Sequence, residues 1–418
     1  MRLTIHNFTT IEKADIEMNG ITVLAGENGT GKSTVSKVLY SIFNTFYDYD
    51  SKLIKLKTDA IKERFQFSLS KNEEDLIHNI FRMNSKMNEI IDNLVRTKVD
   101  QCTQDEVKTY LKNELSNNNI IIEDFDEFAS YVYKILSMDN KKEIKELLQR
   151  VLKIEIGGNY YSLNGKEDFE IDFELRDNYI KFNSKAHDLQ LGAYYKLKIE
   201  AIYYDNPDVV NLINRNYLKD DNFLVGHERK LVQFLQSENS NNFYDELFNK
   251  DIIHQLKEEI RKIVGGDFVD ENGTIKFKSD DLEDSYDLPT LSSGLKSMSI
   301  LLRLIENGNL KENDVLILDE PEIHLHPKWQ LKYAEMLVKL QSTLNLHILI
   351  SSHSPYFIAA IEAYSAKYAI ADRCKYYLSE LNENHQAIFK DVTLQTNAIY
   401  QKLAEPLREL EAIIYDNR

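Results

Sequence analysis

Residues 26–33 read GENGTGKS: Gly26, four residues, then Gly31, Lys32 and Ser33. Glycines at this spacing let consecutive backbone N–H groups curl round a phosphate without side-chain clash. Lys32 would set its ammonium on the β- and γ-phosphates, and the Ser33 hydroxyl would ligate Mg²⁺. Glu27, Asn28, Gly29, Thr30 and Thr34 complete the loop and the first helical turn, so they join the expected contact set. The apolar run ITVLA precedes the string and KSTVSKVLYSIF follows it, the strand–loop–helix context this chemistry needs. The competing reading is a chance glycine-rich turn. The expectation is a nucleoside triphosphate site.

Three further stretches carry chemistry. Residues 314–327 read DVLILDEPEIHLHP, a buried strand that delivers two acids at its C-terminal edge, where α/β ligand sites lie. Asp319 is expected in the Mg²⁺ shell, and Glu320, free of the metal, as general base toward the attacking water; a solvated turn is the alternative. His324 and His326 have H-x-H spacing but no third ligand nearby in sequence, so structural or subunit-contact roles are preferred to a metal. Residues 347–355, HILISSHSP, put His353 at the end of a second strand beside the same edge, there to contact the γ-phosphate and the water. A lone histidine is otherwise a core or surface residue. Residues 290–299, TLSSGLKSMS, read as a helix with a bare, hydroxyl-rich N-terminus suited to an anion, or as an ordinary capped helix.

The elements that must position these groups follow from periodicity. Alternation in LTIHNF and DIEMN predicts a hairpin leading into the buried strand GITVLAG. Helical periodicity dominates 51–150, most clearly in DEFASYVYKIL and KKEIKELLQRVL. Short alternating runs then predict strands at LKIEIGG, FEIDFEL, YIKFN and LKIEAIYY, with GGN, NGK and DN as turns. VLILDE and LHILISSH are buried parallel-type strands with a helix between them. The expected fold is α/β, a core split by helical insertions. Its boundaries are 1–45 (core), 46–150 (helical insertion), 151–205 (β-rich core), 206–264 (second helical insertion, with the polar loop SENSNN at 237–242), 265–395 (core) and 396–418 (helical tail).

Length and composition bound the rest. The 418 residues suit two or three structural units, and 43% hydrophobic content supports a real core. Sixty-eight Asp and Glu against 51 Lys and Arg give a formal charge of −17, which argues against a broadly basic nucleic-acid coat. Cys102 and Cys374 form no CxxC pair, so a reducing cytoplasm is the expected location. No apolar leader core or membrane-length apolar run is readable. In the tail, Tyr400, Leu403, Leu407, Leu410 and Ile414 form a stripe that either packs on the chain's own core or docks a partner helix.

GENGTGKS, LSSGLKS, LILDEPEIHLHP and SSHSP, in that order, resemble the ATPase core shared by ABC transporters, SMC proteins and RecF. The DEP-x-x-x-L-H-P form more specifically resembles the OLD-type and Septu-type (PtuA-like) ATPases of bacterial phage defence. The resemblance covers about 1–40 and 260–365. It implies an ABC/SMC-type P-loop ATPase head that hydrolyses ATP with Mg²⁺ as a slow switch. It also implies a head-to-tail homodimer in which Ser292 and Gly294 cap ATP held by the opposite protomer. Ser293 stands where that signature has its first glycine, and Leu295 where transporters and SMC proteins carry Gln or Glu. Gln66, Gln101 and Gln190 remain open as the glutamine that reaches the Mg²⁺.

Three functions compete at this point. The first is a sensor and scaffold ATPase of anti-phage defence with a separately encoded effector such as a nuclease, since the chain ends without the acidic Toprim cluster of OLD-type nucleases. The second is a RecF-like DNA repair or maintenance ATPase that binds DNA directly, for which KLIKLKTDAIKERF (52–65) offers only a modest basic face. The third, a transporter subunit, fits the signature and the insertions poorly.

Overall fold

A computed structural model describes residues 1–68, 76–98, 103–118, 120–122, 124–157, 168–184, 188–193, 195–214, 226–237, 243–281, 283–406, 410 and 413. Gln101, Cys102, most of the 237–242 loop, the NGK turn, Leu407 and Ile414 lie outside them. The chain divides into two compact units, one of residues 1–47 and 148–418 and the other of residues 48–147.

The first unit opens with β1 (Arg2–Phe8) and β2 (Ile11–Glu17), paired antiparallel, then β3 (Ile21–Gly26) and α1 (Lys32–Phe46). The second unit contains α2 (Tyr49–Ser68), α3 (Leu76–Lys98), α4 (Gln104–Asn117), α5 (Phe125–Leu136) and the start of α6 (Asn140–Ile156). Its helices bury one stripe each, with Phe65, Ile91, Leu94, Leu111, Phe128 and Val132 forming a common core. A Thr103–Glu106 capping box starts α4.

The run LKIEIGG, expected as a strand, forms the end of α6 with its residues 152–156. Leu147, Leu148, Val151, Leu152 and Glu155 are buried at helical spacing, whereas Ile154 is 43% exposed, so the upstream period of 3.6 wins over the local alternation.

Back in the first unit come β4 (Glu170–Leu175), β5 (Asn178–Asn183), β6 (Asp188–Leu191), β7 (Ala201–Tyr204), α7 (His227–Gln236) and α8 (Phe243–Val264). A small antiparallel sheet of β8 (Gly266–Glu271), β9 (Thr274–Ser279) and β10 (Ser285–Asp287) precedes α9 (Ser293–Glu306). The chain continues through β11 (Val315–Asp319), α10 (Pro327–Leu344), β12 (His347–Ser352), α11 (Pro355–Lys367), β13 (Lys375–Leu381), β14 (Ala387–Asp391) and α12 (Asn397–Leu403).

Eleven strands form one sheet in the order β6-β5-β4-β1-β2-β14-β13-β3-β12-β11-β7. The segment β13-β3-β12-β11-β7 is parallel throughout, which brings the C-terminal ends of β3, β11 and β12 to one edge. Every residue of β3 and β11 is buried, as expected of strands covered on both faces. Tyr203 and Tyr204 show the two faces: the Tyr203 ring meets Tyr40 of α1, and the Tyr204 hydroxyl donates to Ser297 of α9. Helices start where small polar residues and prolines permit: His326 then Pro327 for α10, Ser354 then Pro355 for α11. Among the described residues no helix is long and apolar enough to cross a membrane.

A partly buried ion cluster ties three of these elements together. His227, at the start of α7, holds Glu155 of α6 through Nδ1 (2.5 Å) and Asp205, just past β7, through Nε2 (3.0 Å). Burial alone would push the imidazole down, but hydrogen bonds to Asp205 and Glu155 outweigh it and raise His227 to about 9. The imidazolium is therefore the native form. Because the folded value lies above the free value of 6.5, this contribution is complete below about pH 6.5 and is lost as pH rises through about 9. The difference corresponds to ~3 kcal/mol. The melting temperature of the wild type is expected to fall by several degrees more between about pH 6 and about pH 9.5 than that of His227→Gln. Equal slopes in thermal melts would remove the cluster from the stability account.

Candidate phosphate-binding and carboxylate site

The loop between β3 and α1 is held by its own main chain. Gly29 and Gly31 have φ of +78° and +79°, conformations that favour glycine. Gly31 occupies the N-cap of α1 and offers no side-chain acceptor, and no acid sits in the first turn. The helix thus begins with its N–H groups unsatisfied by a cap and with the positive end of its dipole facing the loop, the electrostatic requirement for an anion. The Lys32 ammonium folds back and donates to the carbonyls of Gly26 (2.9 Å) and Glu27 (2.7 Å). The Thr30 hydroxyl donates to the Glu27 carbonyl at 2.7 Å and lies 2.6 Å from the Ser379 hydroxyl, which reaches the Ala25 carbonyl at 3.2 Å. Strand β13 therefore braces the loop from the side.

A cavity of about 270 Å³ opens here, lined by Asn28, Gly29, Gly31, Lys32, Ser33 and Thr34 of the loop, with Glu320 and Thr10 on its walls. Glu320 Oε1 lies 3.9 Å from Lys32 Nζ and 3.4 Å from His353 Nδ1. The structure thus brings together the loop, the acid after β11 and the histidine after β12. Glu320 has φ of +47°, a strained setting for a carboxylate side chain, fixed by its N–H donating to the Ser351 carbonyl at 3.0 Å. Burial pushes the Lys32 ammonium down, and the carboxylates of Glu320 and Asp319 oppose that shift.

Asp319 ends β11, 8% exposed, and both its oxygens are engaged: Oδ2 accepts from the Tyr203 hydroxyl at 3.0 Å and Oδ1 from Ser351. Burial pushes the Glu322 carboxyl up, while a hydrogen bond from Ser352 opposes the rise.

Ser292 and Gly294 do not line the cavity. Ser292 is the N-cap of α9, and its Oγ accepts the Leu295 N–H at 3.3 Å, so this helix start is capped rather than bare. The hydroxyl proton remains free to donate elsewhere. His326 caps α10 through Nδ1, accepting from the Lys328 N–H at 3.3 Å. Gln190 lies on β6 and bonds Asp188, and Gln66 lies on α2 in the other unit; Gln101 is outside the described residues. Sequence reasoning missed Thr10, Tyr203, Glu322, Ser351, Ser352 and Ser379. Ser351 and Ser352 were legible in principle as the small polar end of SSHSP; Tyr203 and Ser379 meet the site only through the sheet.

Gly26 pairs with Ser379 across β3 and β13, and a Cβ there would lie 2.6 Å from the Ser379 carbonyl oxygen. Gly26→Ala is expected to cost ~1–3 kcal/mol in urea denaturation, by strain against main chain, and to weaken nucleotide binding by displacing the carbonyl that holds Lys32. Unchanged stability and binding would show that the strand pair yields freely.

A family model described as "AAA domain, putative AbiEii toxin, Type IV TA system" matches residues 21–359. The probable ATPase of retron Ec83 from Escherichia coli is 24% identical over 243 residues, covering 54% of this chain and 43% of that protein. The chain thus spans less than half the length of that curated relative. An SMC head bound to the C-winged helix domain of ScpA shares 11% identity over 95% of this chain and 98% of its own, with a TM-score of 0.47. The SMC head domain from Thermotoga maritima shares 10% over 94% and 98%, with a TM-score of 0.41. The fold rests on the parallel sheet and its loop–helix edge. With a family match across most of its length and a glycine-rich strand–loop–helix turn at that edge, the chain has the α/β fold of a P-loop ATPase head and belongs to the AAA-domain family described with the putative AbiEii toxin of type IV toxin–antitoxin systems.

Proposed function

We propose that this protein is a Mg²⁺-dependent ATPase that completes its sites in a head-to-tail homodimer and acts as the switch of a bacterial anti-phage defence system with a separate effector, such as a nuclease. The observation that carries the ATPase reading is the convergence of Lys32, Ser33 and Glu320 on one cavity at the uncapped start of α1, with His353 behind Glu320 at 3.4 Å. The family description and the retron ATPase support the defence setting.

The donor set suits Mg²⁺. The Ser33 hydroxyl and the Asp319 carboxylate are hard oxygen donors, and Asp319 keeps a free lone pair on each oxygen after its two hydrogen bonds. The local charge also favours a cation: the Glu320 and Asp319 carboxylates both act on the Lys32 ammonium, while Glu27 already pairs with Lys402 at 3.4 Å. Bound there, Mg²⁺ would neutralise charge on the β- and γ-phosphates.

The chain's own groups then divide the work. The loop from Gly26 to Thr34 wraps the phosphates with N–H groups, and Lys32, held on two carbonyls, exchanges those hydrogen bonds for the γ-phosphate. Glu320 accepts the proton of the attacking water as general base. His353, beside it, holds that water and the γ-phosphate. Ser292 and Gly294 donate to ATP on the opposite protomer through the first turn of α9. Effector coupling follows from a dimer that forms with ATP and opens after hydrolysis.

Glu320→Gln is expected to retain ATP binding, to lower turnover ~10²–10⁴-fold and to accumulate as an ATP-bound dimer in solution mass measurements. Mixed Lys32→Ala and Ser292→Ala chains should form one competent composite site, which monomeric activity would contradict. Pull-down of tagged Glu320→Gln with Mg²⁺-ATP and its native neighbouring genes should recover a second polypeptide. Recovery of nucleic acid alone would favour a DNA maintenance role.

A further inference from the structure

Asp319 is bracketed from both neighbouring strands. In the register of the sheet, β7 pairs with β11 so that Tyr203 stands opposite Ile317, and β12 pairs so that Ser351 stands opposite Asp319. Strand alternation puts Ile317 and Asp319 on the same face as Tyr203, the face that α1 covers. From there the Tyr203 hydroxyl donates to Oδ2 at 3.0 Å, and Ser351 donates to Oδ1 from the opposite side. Neither donor lies in the phosphate loop, and neither lines the cavity.

The Tyr203 ring is itself fixed. It is 1% exposed, packs 5.7 Å from Tyr40 and lies edge-on to the His227 ring at 4.4 Å and 69°. His227 cannot rotate without giving up Glu155 or Asp205, since each ring nitrogen is committed. A phenol locked in this way holds its hydroxyl at one point, and a carboxylate that accepts from it has one favoured rotamer. A carboxylate with one hydrogen bond on each oxygen keeps one lone pair on each for a cation.

We propose that Tyr203, seconded by Ser351, is a positioning residue that fixes the Asp319 carboxylate for the divalent cation and so sets the cation affinity of the site. This rests on the ATPase reading, in which Asp319 serves the Mg²⁺ shell. Outer partners of ligating carboxylates have a known scale of effect: removing one costs about 10–100-fold in metal affinity or activity. Tyr203→Phe deletes one oxygen and leaves the ring packing in place, so it separates the hydrogen bond from the stack.

The test measures Mn²⁺ binding by electron paramagnetic resonance in the presence of a non-hydrolysable ATP analogue, alongside the Mg²⁺ dependence of turnover and nucleotide binding without metal. In Tyr203→Phe, the Mn²⁺ dissociation constant and the half-saturating Mg²⁺ should both rise about 10-fold or more. Turnover at saturating Mg²⁺ should recover to near the wild-type value, and metal-free nucleotide binding should not change. A merely structural role would lower turnover at every Mg²⁺ concentration and weaken nucleotide binding as well, and that pattern overturns the proposal. Ser351→Ala reads the other side of the bracket and should shift the same two metal constants, which serves if Tyr203→Phe does not fold. Asp319→Asn separates the two levels of inference. Loss of Mn²⁺ binding in Asp319→Asn with unchanged metal constants in Tyr203→Phe and Ser351→Ala would sink the positioning role alone. Unchanged Mn²⁺ binding in Asp319→Asn would sink the metal assignment beneath it.

Discussion

The structure depends on a helix that begins without a cap. α1 starts at Gly31 in a left-handed conformation, with no side-chain acceptor and no acid in its first turn. Orphan N–H groups and the positive end of a helix dipole are tolerable at a surface, but they leave a standing demand for an anion. Meeting that demand at a fixed point requires the preceding strand to be immobile. β3 supplies this, buried at every position and paired on both edges by parallel strands. The loop is then pinned to the sheet through Ser379, which reaches both Ala25 and Thr30, and through Lys32, which lies on the Gly26 and Glu27 carbonyls.

The same edge concentrates opposite charge. Asp319, Glu320 and Glu322 fall within four residues after a fully buried strand, and Lys32 is the cation whose state they all affect. Burial divides their roles. Glu322 is almost completely enclosed, hydrogen-bonded by Ser352, and its carboxyl is pushed up. Glu320 lies on the cavity wall, turned there by a positive φ that its bond to the Ser351 carbonyl maintains. Asp319 is held between two hydroxyls. Three carboxyl groups in one short segment thus have three environments: one enclosed, one on the cavity wall and one held between two hydroxyls.

What the sequence made legible was whatever is local. Gly26, Lys32 and Ser33 are fixed by one loop, Asp319 and Glu320 by one strand end, and His353 by another, and alternation or apolar runs announce each strand. Tyr203 is 116 residues from Asp319, and Ser379 is 349 from Thr30, so only sheet order brings them in. The His227 cluster joins three elements separated by up to 72 residues and carries no spacing signal. The LKIEIGG reading failed for a physical reason. Leu152, Ile154 and Ile156 alternate as a strand would, but Leu148, Val151, Leu152 and Glu155 are the positions that bury, and burial decides between two periods. The first turn of α9 stayed open in the sequence for another reason, since a serine before a helix reads as an open anion site or as a cap, and here Ser292 caps it.

Glu155 gives that misread segment a second meaning. Had the run been a strand, its side chain would have pointed to one face of a sheet; as the last turn of α6 it meets His227 instead, and gives it a 2.5 Å partner. His227 then has both nitrogens occupied and its ring against Tyr203, whose hydroxyl ends on Asp319. Glu155, Tyr203 and Asp319 are buried and His227 partly so, and each is tied to the next. Against an apolar replacement a partly buried ion cluster of this kind adds little net stability, because desolvation offsets much of its attraction; the pH-linked part is only the preference for the charged imidazole. Its firmer consequence is geometric: with both imidazole nitrogens committed, the tyrosine behind the Asp319 carboxylate has one arrangement.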